Sequence, residues 1–479
     1  MHDAESAASA PDGRPVIYVV HASVGSGHRS AAIAVAEALE RLEEQSWPQL
    51  AEKGLEQAEI QVLDILDFGR VPIDGDKTAT MFTGPTRPFY DVTWRFILTG
   101  RLLWGGGTIW SHVMFKKFTD LIAARPPAAV VATHITAANC AAAARMLTGQ
   151  AFPLICVPTD YETEGLWPHK ETDLFCVATE SMAETLRPRK VPEDRIAITG
   201  IPVRGVGGTE YDIPEVRREL GLPLDKTVVL IMAGAHLPQP YVAFRAAIDT
   251  IVPEFATMEG MHFVFLPGRD EAYRDHLLDL QREYGISNMT VMGYVERMQA
   301  LMAASDLAIC KSGGLTVTEC LDMRLPMILL GRSYGQEKVN TVMLTSLGAS
   351  MHVTTARELL ETLCITTREA SRAFSSTARS CGARMPPTIL RRQQFALPVP
   401  RSRAGVISLS SIGVESPRTS VDDEPGGCSA GFDGALGQGF CGSSRRLGPS
   451  LVFGRRKALR QGLLRSFRVL YGDAPDKRR

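Results

Sequence analysis

The sequence predicts an α/β protein made of two Rossmann-like halves that face each other across a cleft. Three observations carry this reading. Short apolar runs of strand length alternate with helical stretches from residue 16 onward, the alternation restarts near residue 227, and two of the strand-to-helix turns are glycine-rich. In the first half, residues 16–22 (V-I-Y-V-V-H-A) read as a strand. A Gly-rich turn follows, then Ser30 to Leu42 with helical spacing and good helix formers. Residues 60–66, 128–133, 153–158, 174–178 and 195–199 read as further strands, with an Ala-rich helix at 136–147. The second half runs from strand 227–233 to a helix from about 240, strand 262–266, helix 270–284, strand 289–292 and helix 296–304. Strand 306–310, helix 315–323, strand 326–330 and helix 338–347 close the series.

These patterns divide the chain into a low-order N-terminus (1–14), a first domain (15–203), a second domain (204–364) and a tail (365–479). The Pro202–Gly208 stretch reads as a hinge. The formal net charge of the 479 residues is −1, which conceals a strong asymmetry. Residues 365–479 hold 20 basic and 8 acidic side chains, and residues 1–364 hold 32 and 45, so an anionic body of −13 carries a cationic tail of +12. The tail has 15 Ser, many Gly and Pro and no sustained hydrophobic periodicity, a disorder-like composition. It is either a natural basic tail or an out-of-frame C-terminus. Read one base earlier, a codon choice for Arg384–Thr388 gives Pro-His-Ala-Ala-Asp, a helix-forming sequence, and gene sequencing separates the two readings.

Several classes are excluded by composition. No run of 18 apolar residues exists to span a bilayer, and Met1–Pro15 has neither a basic nor an apolar signal region. The nine cysteines include no C-x-x-C pair, and four sit in apolar strand-like runs, which fits reduced thiols in a cytoplasmic protein. An acidic body argues against a nucleic-acid partner.

Three turns carry chemistry. His21–Ser30 (H-A-S-V-G-S-G-H-R-S) joins a strand to a helix, with free N–H groups at the helix start and His28 at the cleft, where an imidazole serves as a general base. The alternative is a histidine that merely caps the helix. Lys311–Glu319 (K-S-G-G-L-T-V-T-E) offers N–H groups at Ser312, Gly313 and Gly314 to a diphosphate and a hydroxyl at Thr316. Glu319 lies one turn on, where a carboxylate can accept both hydroxyls of a ribose. Gly331–Asn340 (G-R-S-Y-G-Q-E-K-V-N) clusters Gln336, Glu337 and Asn340, groups that suit sugar hydroxyls, although a solvated loop has the same composition.

In order, the strand-G-x-G-H-helix turn, G-I-P-V-R at 200–204, A-G-A-H at 233–236, S-G-G-L-T-V-T-E and G-Q-E-K-x-N resemble GT-B glycosyltransferases that make monoglycosyldiacylglycerol. These are the bacterial processive diacylglycerol β-glucosyltransferases and the plant-type monogalactosyldiacylglycerol synthases. The resemblance covers about residues 16–363, and T-D-Y…W-x-H-K at 159–170 looks like the bacterial branch.

The resemblance implies a GT-B fold and an inverting transfer of a hexose from UDP-hexose to the hydroxyl of diacylglycerol. It implies His28 as the catalytic base, and Arg204 and the backbone of Val295 near the uracil. It also implies Gly234, Ser312, Gly313, Gly314 and Thr316 around the diphosphate, Glu319 on the ribose, and Gln336 and Glu337 on the hexose. Asp160 and His169 are expected on the acceptor side. No cofactor is expected, since the UDP-sugar is a substrate, and no metal-ligand cluster is visible in the sequence, so helix ends would stand in for a metal ion. A final helix crossing back onto the first domain, usual in this fold, is missing from the family-like sequence.

Residues 81–118 hold nine aromatic residues, Trp94, Trp104 and Trp110 among them, interleaved with five Lys or Arg. That mixture suits peripheral docking on an anionic membrane surface at the inner face of the cell membrane; a helix pair packed on the sheet is the alternative. A lipid II-type N-acetylglucosamine transferase, a UDP-N-acetylglucosamine epimerase, a non-catalytic UDP-sugar sensor and an enzyme impaired by the lack of the crossover helix are the rival readings. The epimerase would need an acidic catalytic set that is not seen here.

Overall fold

The computed structural model describes residues 14–24, 26–44, 58–70, 111–163, 167–204, 211–233, 241–333 and 336–366. Gly25, Trp94, Trp104, Trp110, Gly234, the side chain of Gln336 and the tail from 367 onward lie outside the described residues.

Six strands form the first sheet: β1 (Val16–His21), β2 (Glu59–Asp64), β3 (Ala129–Ala132), β4 (Leu154–Cys156), β5 (Leu174–Val177) and β6 (Ile196–Ile198). Their order is β2-β1-β3-β4-β5-β6 and every neighbouring pair is parallel. All six residues of β1 and all four of β3 are buried, as unbroken apolar strands must be when helices cover both faces of a parallel sheet. Helices α1 (Ser26–Glu44), α2 (Lys116–Ala124), α3 (Ile135–Thr148) and α4 (Glu180–Leu186) belong to this half. The Ala-rich α3 buries seven residues from Ala137 to Ala144 and stops at Gly149, whose φ of 68° only glycine adopts without strain.

The second sheet holds β7 (Thr227–Ile231), β8 (Met261–Phe265), β9 (Met289–Val291), β10 (Leu307–Cys310), β11 (Met327–Leu330) and β12 (Ser350–Val353), again all parallel. Read from β9, the order is β9-β8-β7-β10-β11-β12, the doubly wound arrangement of a dinucleotide-binding sheet. Its helices are α5 (Ile213–Glu219), α6 (Val242–Ile251), α7 (Glu271–Glu283), α8 (Met298–Ala304), α9 (Gly314–Asp322) and α10 (Gln336–Ser346). Asp212 and Asp270 cap α5 and α7 by accepting from the N–H three residues on. Arg217 of α5 and Asp306 beside β10 make a buried ion pair (2.6 Å). The pair is sustained because Arg217 also donates to three carbonyls and Asp306 accepts from Val228 N.

The two Rossmann-like sheets were legible in the sequence; β12 and the helical residues 356–366 were not. β12 is an edge strand of four residues with two of them exposed, too short for its alternation to register. The aromatic-basic segment needs a correction at its C-terminal end. Phe115 and Phe118 are buried in the core, Phe118 edge-on to Phe68 at 5.5 Å, so they pack on the first sheet and are unavailable to a membrane. Cys140, Cys156, Cys176, Cys310 and Cys320 are buried free thiols, as expected from their apolar settings.

Candidate active site between the two switch points

In an open parallel sheet, ligands bind beyond the carboxyl ends of the strands where the strand order reverses. In the first sheet that point lies between β1 and β3, and His28 and His134 follow those two strands. His28 Nδ1 lies 3.1 Å from Thr133 O and 2.8 Å from Thr159 Oγ1, and Thr133 Oγ1 donates back to His28 O at 2.9 Å. A carbonyl only accepts, so Nδ1 carries the proton and Nε2 keeps its lone pair. Burial holds the imidazole below its ordinary pKa of 6.5, partly opposed by Asp160, so the neutral, basic form prevails at neutral pH.

His134 was missed by sequence reasoning. Its Nδ1 accepts from Thr136 N at 3.1 Å, capping α3, and its ring meets His28 edge-on at 4.6 Å. Burial, with His28 nearby, keeps it well below the ordinary histidine range. His21 is also buried, and burial lowers its pKa against the pull of Asp64. Only the sequence T-H-I-T after an apolar strand hinted at His134, a weak signal beside a glycine turn.

In the second sheet the reversal lies between β7 and β10, and the Ser312–Gly314 turn leaves β10 there. Gly313 is the N-cap of α9 and makes no side-chain cap bond, so the first N–H groups of the helix have no side-chain partner from that residue. Ser312 turns its hydroxyl inward, donating to Glu337 O at 3.1 Å and meeting Ser333 Oγ at 3.1 Å, so only its backbone is left for a ligand. Glu337 pairs with Lys311 at 3.4 Å, and Lys311 lies over the Tyr241 ring. Thr316 is half-buried and has no side-chain hydrogen bond among the described residues. Burial raises the Glu319 carboxyl to about 7, with Asp322 adding to the shift and Arg204 opposing it.

Other expected residues lie apart from this group. Val295 is half-buried and packs against the apolar core. Arg204 pairs with Glu37 of α1 at 2.6 Å, which bridges the two halves. His169 sits beside Phe175, and burial lowers it to about 4; no hydrogen bond joins it to the His28 group among the described residues.

Asp160 does reach the second domain. Its Oδ1 accepts from Asn340 Nδ2 at 3.1 Å, and a Cβ added to Gly314 would lie 2.7 Å from that oxygen and collide with Thr159 O. Gly314 is therefore demanded by the approach of the first domain. Asn340 is fully buried: Oδ1 accepts from Tyr161 N and Nδ2 donates to Asp160 and to Ser312 O. Its amide is spent internally, which corrects the expectation that it faces a sugar.

Two parallel sheets with opposed switch points, one bearing a half-buried imidazole and the other a Gly-Gly helix start, define the GT-B class of protein. Residues 100–203 match the monogalactosyldiacylglycerol (MGDG) synthase family and residues 228–379 the glycosyltransferase family 28 C-terminal domain. These two matches agree with the resemblance carried by the ordered motifs. It is 30% identical over 219 residues to the processive diacylglycerol beta-glucosyltransferase of Bacillus licheniformis, covering 46% of this chain and 55% of that one. It is 31% identical to the Bacillus subtilis protein of the same name, with 46% and 56% covered. The chain thus matches little more than half the length of these curated relatives. Among solved structures, Acinetobacter baumannii MurG aligns with a TM-score of 0.43 at 15% identity, covering 80% of this chain and all of that one.

Proposed function

We propose that this protein is an inverting glycosyltransferase that moves a hexose from a UDP-sugar to the hydroxyl of diacylglycerol, giving a β-glycosyldiacylglycerol. The observation that carries the proposal is the placement of His28 at the first switch point with Nδ1 3.1 Å from Thr133 O, a contact that suits a proton on Nδ1 and leaves Nε2 to accept one. In the reaction, Nε2 takes the diacylglycerol hydroxyl proton as that oxygen attacks the anomeric carbon. The bond from that carbon to the diphosphate oxygen breaks, and UDP departs with the electron pair. Backbone N–H groups at the start of α9 oppose the charge that grows on the diphosphate. No metal or cofactor takes part in this scheme.

Gly234, Gly313, Gly314 and Thr316 would line the diphosphate, Glu319 the ribose, Arg204 and Val295 the uracil, and Gln336 and Glu337 the hexose. Asp160 and His169 stand on the acceptor side. The family match and the names of the Bacillus relatives support a glycolipid product. Work at an anionic membrane surface, on the cytoplasmic side, belongs to the same proposal, with Trp94, Trp104 and Trp110 as its contacts.

The test is incubation with diacylglycerol and UDP-glucose, UDP-galactose or UDP-N-acetylglucosamine, followed by product chromatography and proton NMR of the anomeric coupling. A β-linked hexosyldiacylglycerol is expected. Transfer from UDP-N-acetylglucosamine alone, or nucleotide binding with no lipid product, would overturn it. For the membrane, replacing the three tryptophans by Ala is expected to reduce co-sedimentation with anionic vesicles, and undiminished binding would refute docking by that segment.

A further inference from the structure

We propose that Thr159–Tyr161 is a positioning strut that makes the readiness of His28 depend on contact with the donor-side domain. The proposal rests on His28 being the base. One end of the strut is in the first domain's site, where Thr159 Oγ1 lies 2.8 Å from His28 Nδ1. The other end is bound to the second domain. Tyr161 N donates to Asn340 Oδ1 at 3.0 Å, Tyr161 OH pairs with Thr318 Oγ1 at 2.9 Å, and Asn340 Nδ2 donates to Asp160 Oδ1 at 3.1 Å.

The receiving groups belong to the turn that opens α9. Asn340 holds Ser312 O at 2.9 Å, Thr318 holds Gly314 O at 2.6 Å, and Gly314 lacks the side chain that would strike Thr159 O. One asparagine amide therefore ties the glycine turn, the strut and, through two peptide units, the imidazole.

The arm has little slack. Thr159 and Tyr161 are two residues apart and span at most about 7 Å when extended. Hydrogen bonds lapse beyond about 3.5 Å, so parting the domains by little more than an ångström releases Tyr161 and frees Thr159 from its place on the imidazole. His28 then keeps only the Thr133 carbonyl, which sets its tautomer but no longer holds the ring from two sides. Tyr161 and Thr318 are both buried, so the far end of the strut is shielded from water while the contact holds.

The test uses the full chain with 15N-labelled histidine. Long-range proton–nitrogen spectra report the tautomer of each imidazole, and His28 is assigned by its absence from His28→Gln. The unmodified chain is expected to show His28 in the Nδ1–H form. Asn340→Ala and Thr159→Val are each expected to shift and broaden the His28 ring signals as the imidazole gains freedom about its Thr133 contact, while Thr159→Ser keeps the unmodified spectrum. With UDP-glucose and diacylglycerol, Asn340→Ala and Thr159→Val should each lower kcat about 100-fold with little change in donor KM. The double variant should be no slower than the slower single one. Unaltered His28 ring signals in Asn340→Ala, or losses that multiply in the double variant, would overturn the strut. Should Asn340→Ala fail to fold, Tyr161→Phe removes only the Thr318 bond and is read by the same spectra. Absence of transfer from every donor would refute the functional reading instead, since the spectra need no turnover.

Discussion

At the scale of single residues, the proposed reaction turns on His28. Replacing it by Gln is expected to cut turnover by about 10²–10⁴-fold, measured as hexose transfer to diacylglycerol, because positioned proton transfer contributes that much. A smaller loss would move the base elsewhere. The acid limb of the rate profile follows from the same environment. Burial lowers this histidine below 6.5, with Asp160 opposing, so activity should hold at pH 6.5 and fall only as pH drops through the lowered value. A rate already halved at or above pH 6.5 would contradict the neutral imidazole. His28 was legible because a glycine turn between strand and helix marks it in one short stretch. The contacts of Thr159 and Asn340 were not, although both residues stood in motifs, since Thr159 meets His28 across 131 residues and Asp160 meets Asn340 across 180. Local pattern carries no trace of such meetings.

At the scale of elements, the N-terminal turn of α9 is where the sequence reading was sound about place and incomplete about cause. Two adjacent glycines looked equivalent as phosphate-facing positions. They differ: nothing lies within 4 Å of a Cβ on Gly313, whereas one on Gly314 meets Thr159 and Asp160. Gly313→Ala should be stable, while Gly314→Ala should lose about 1–3 kcal/mol in urea unfolding through overpacking. Equal effects would mean that the domains do not meet as described. One turn along, desolvation and then the nearby Asp322 push the Glu319 carboxyl up to about 7. A ribose donating two hydroxyls needs the carboxylate, so UDP affinity by calorimetry should rise as pH passes upward through about 7. A flat profile would remove Glu319 from the nucleotide site. Strands were easier to read than such turns, because burial on both faces writes a continuous apolar run; the half-exposed β12 shows the limit of that signal.

At the scale of the molecule, one apolar cluster runs from the first sheet into the second, from Tyr18 and Val130 to Leu230 and Leu315. The Arg204–Glu37 pair and the Asn340 contacts add polar ties. The two halves should therefore unfold together, giving one transition in scanning calorimetry; two separated transitions would show that the interface is weak. The division into halves was visible in the sequence from the restart of the strand pattern. Their contact was not, because the residues that make it lie on loops and helix starts, where composition is permissive.

The strut also bears on inheritance. A gene assembled from the first half of one ancestor and the second half of another would keep both sheets intact, since each strand order closes within its own half. It would lose the match between Thr159–Tyr161 on one side and Gly314, Thr318 and Asn340 on the other unless both parents shared it. Recombination between the halves is thus permitted by architecture and policed by four side chains and one missing Cβ, which makes these positions a compatibility code between the two sheets.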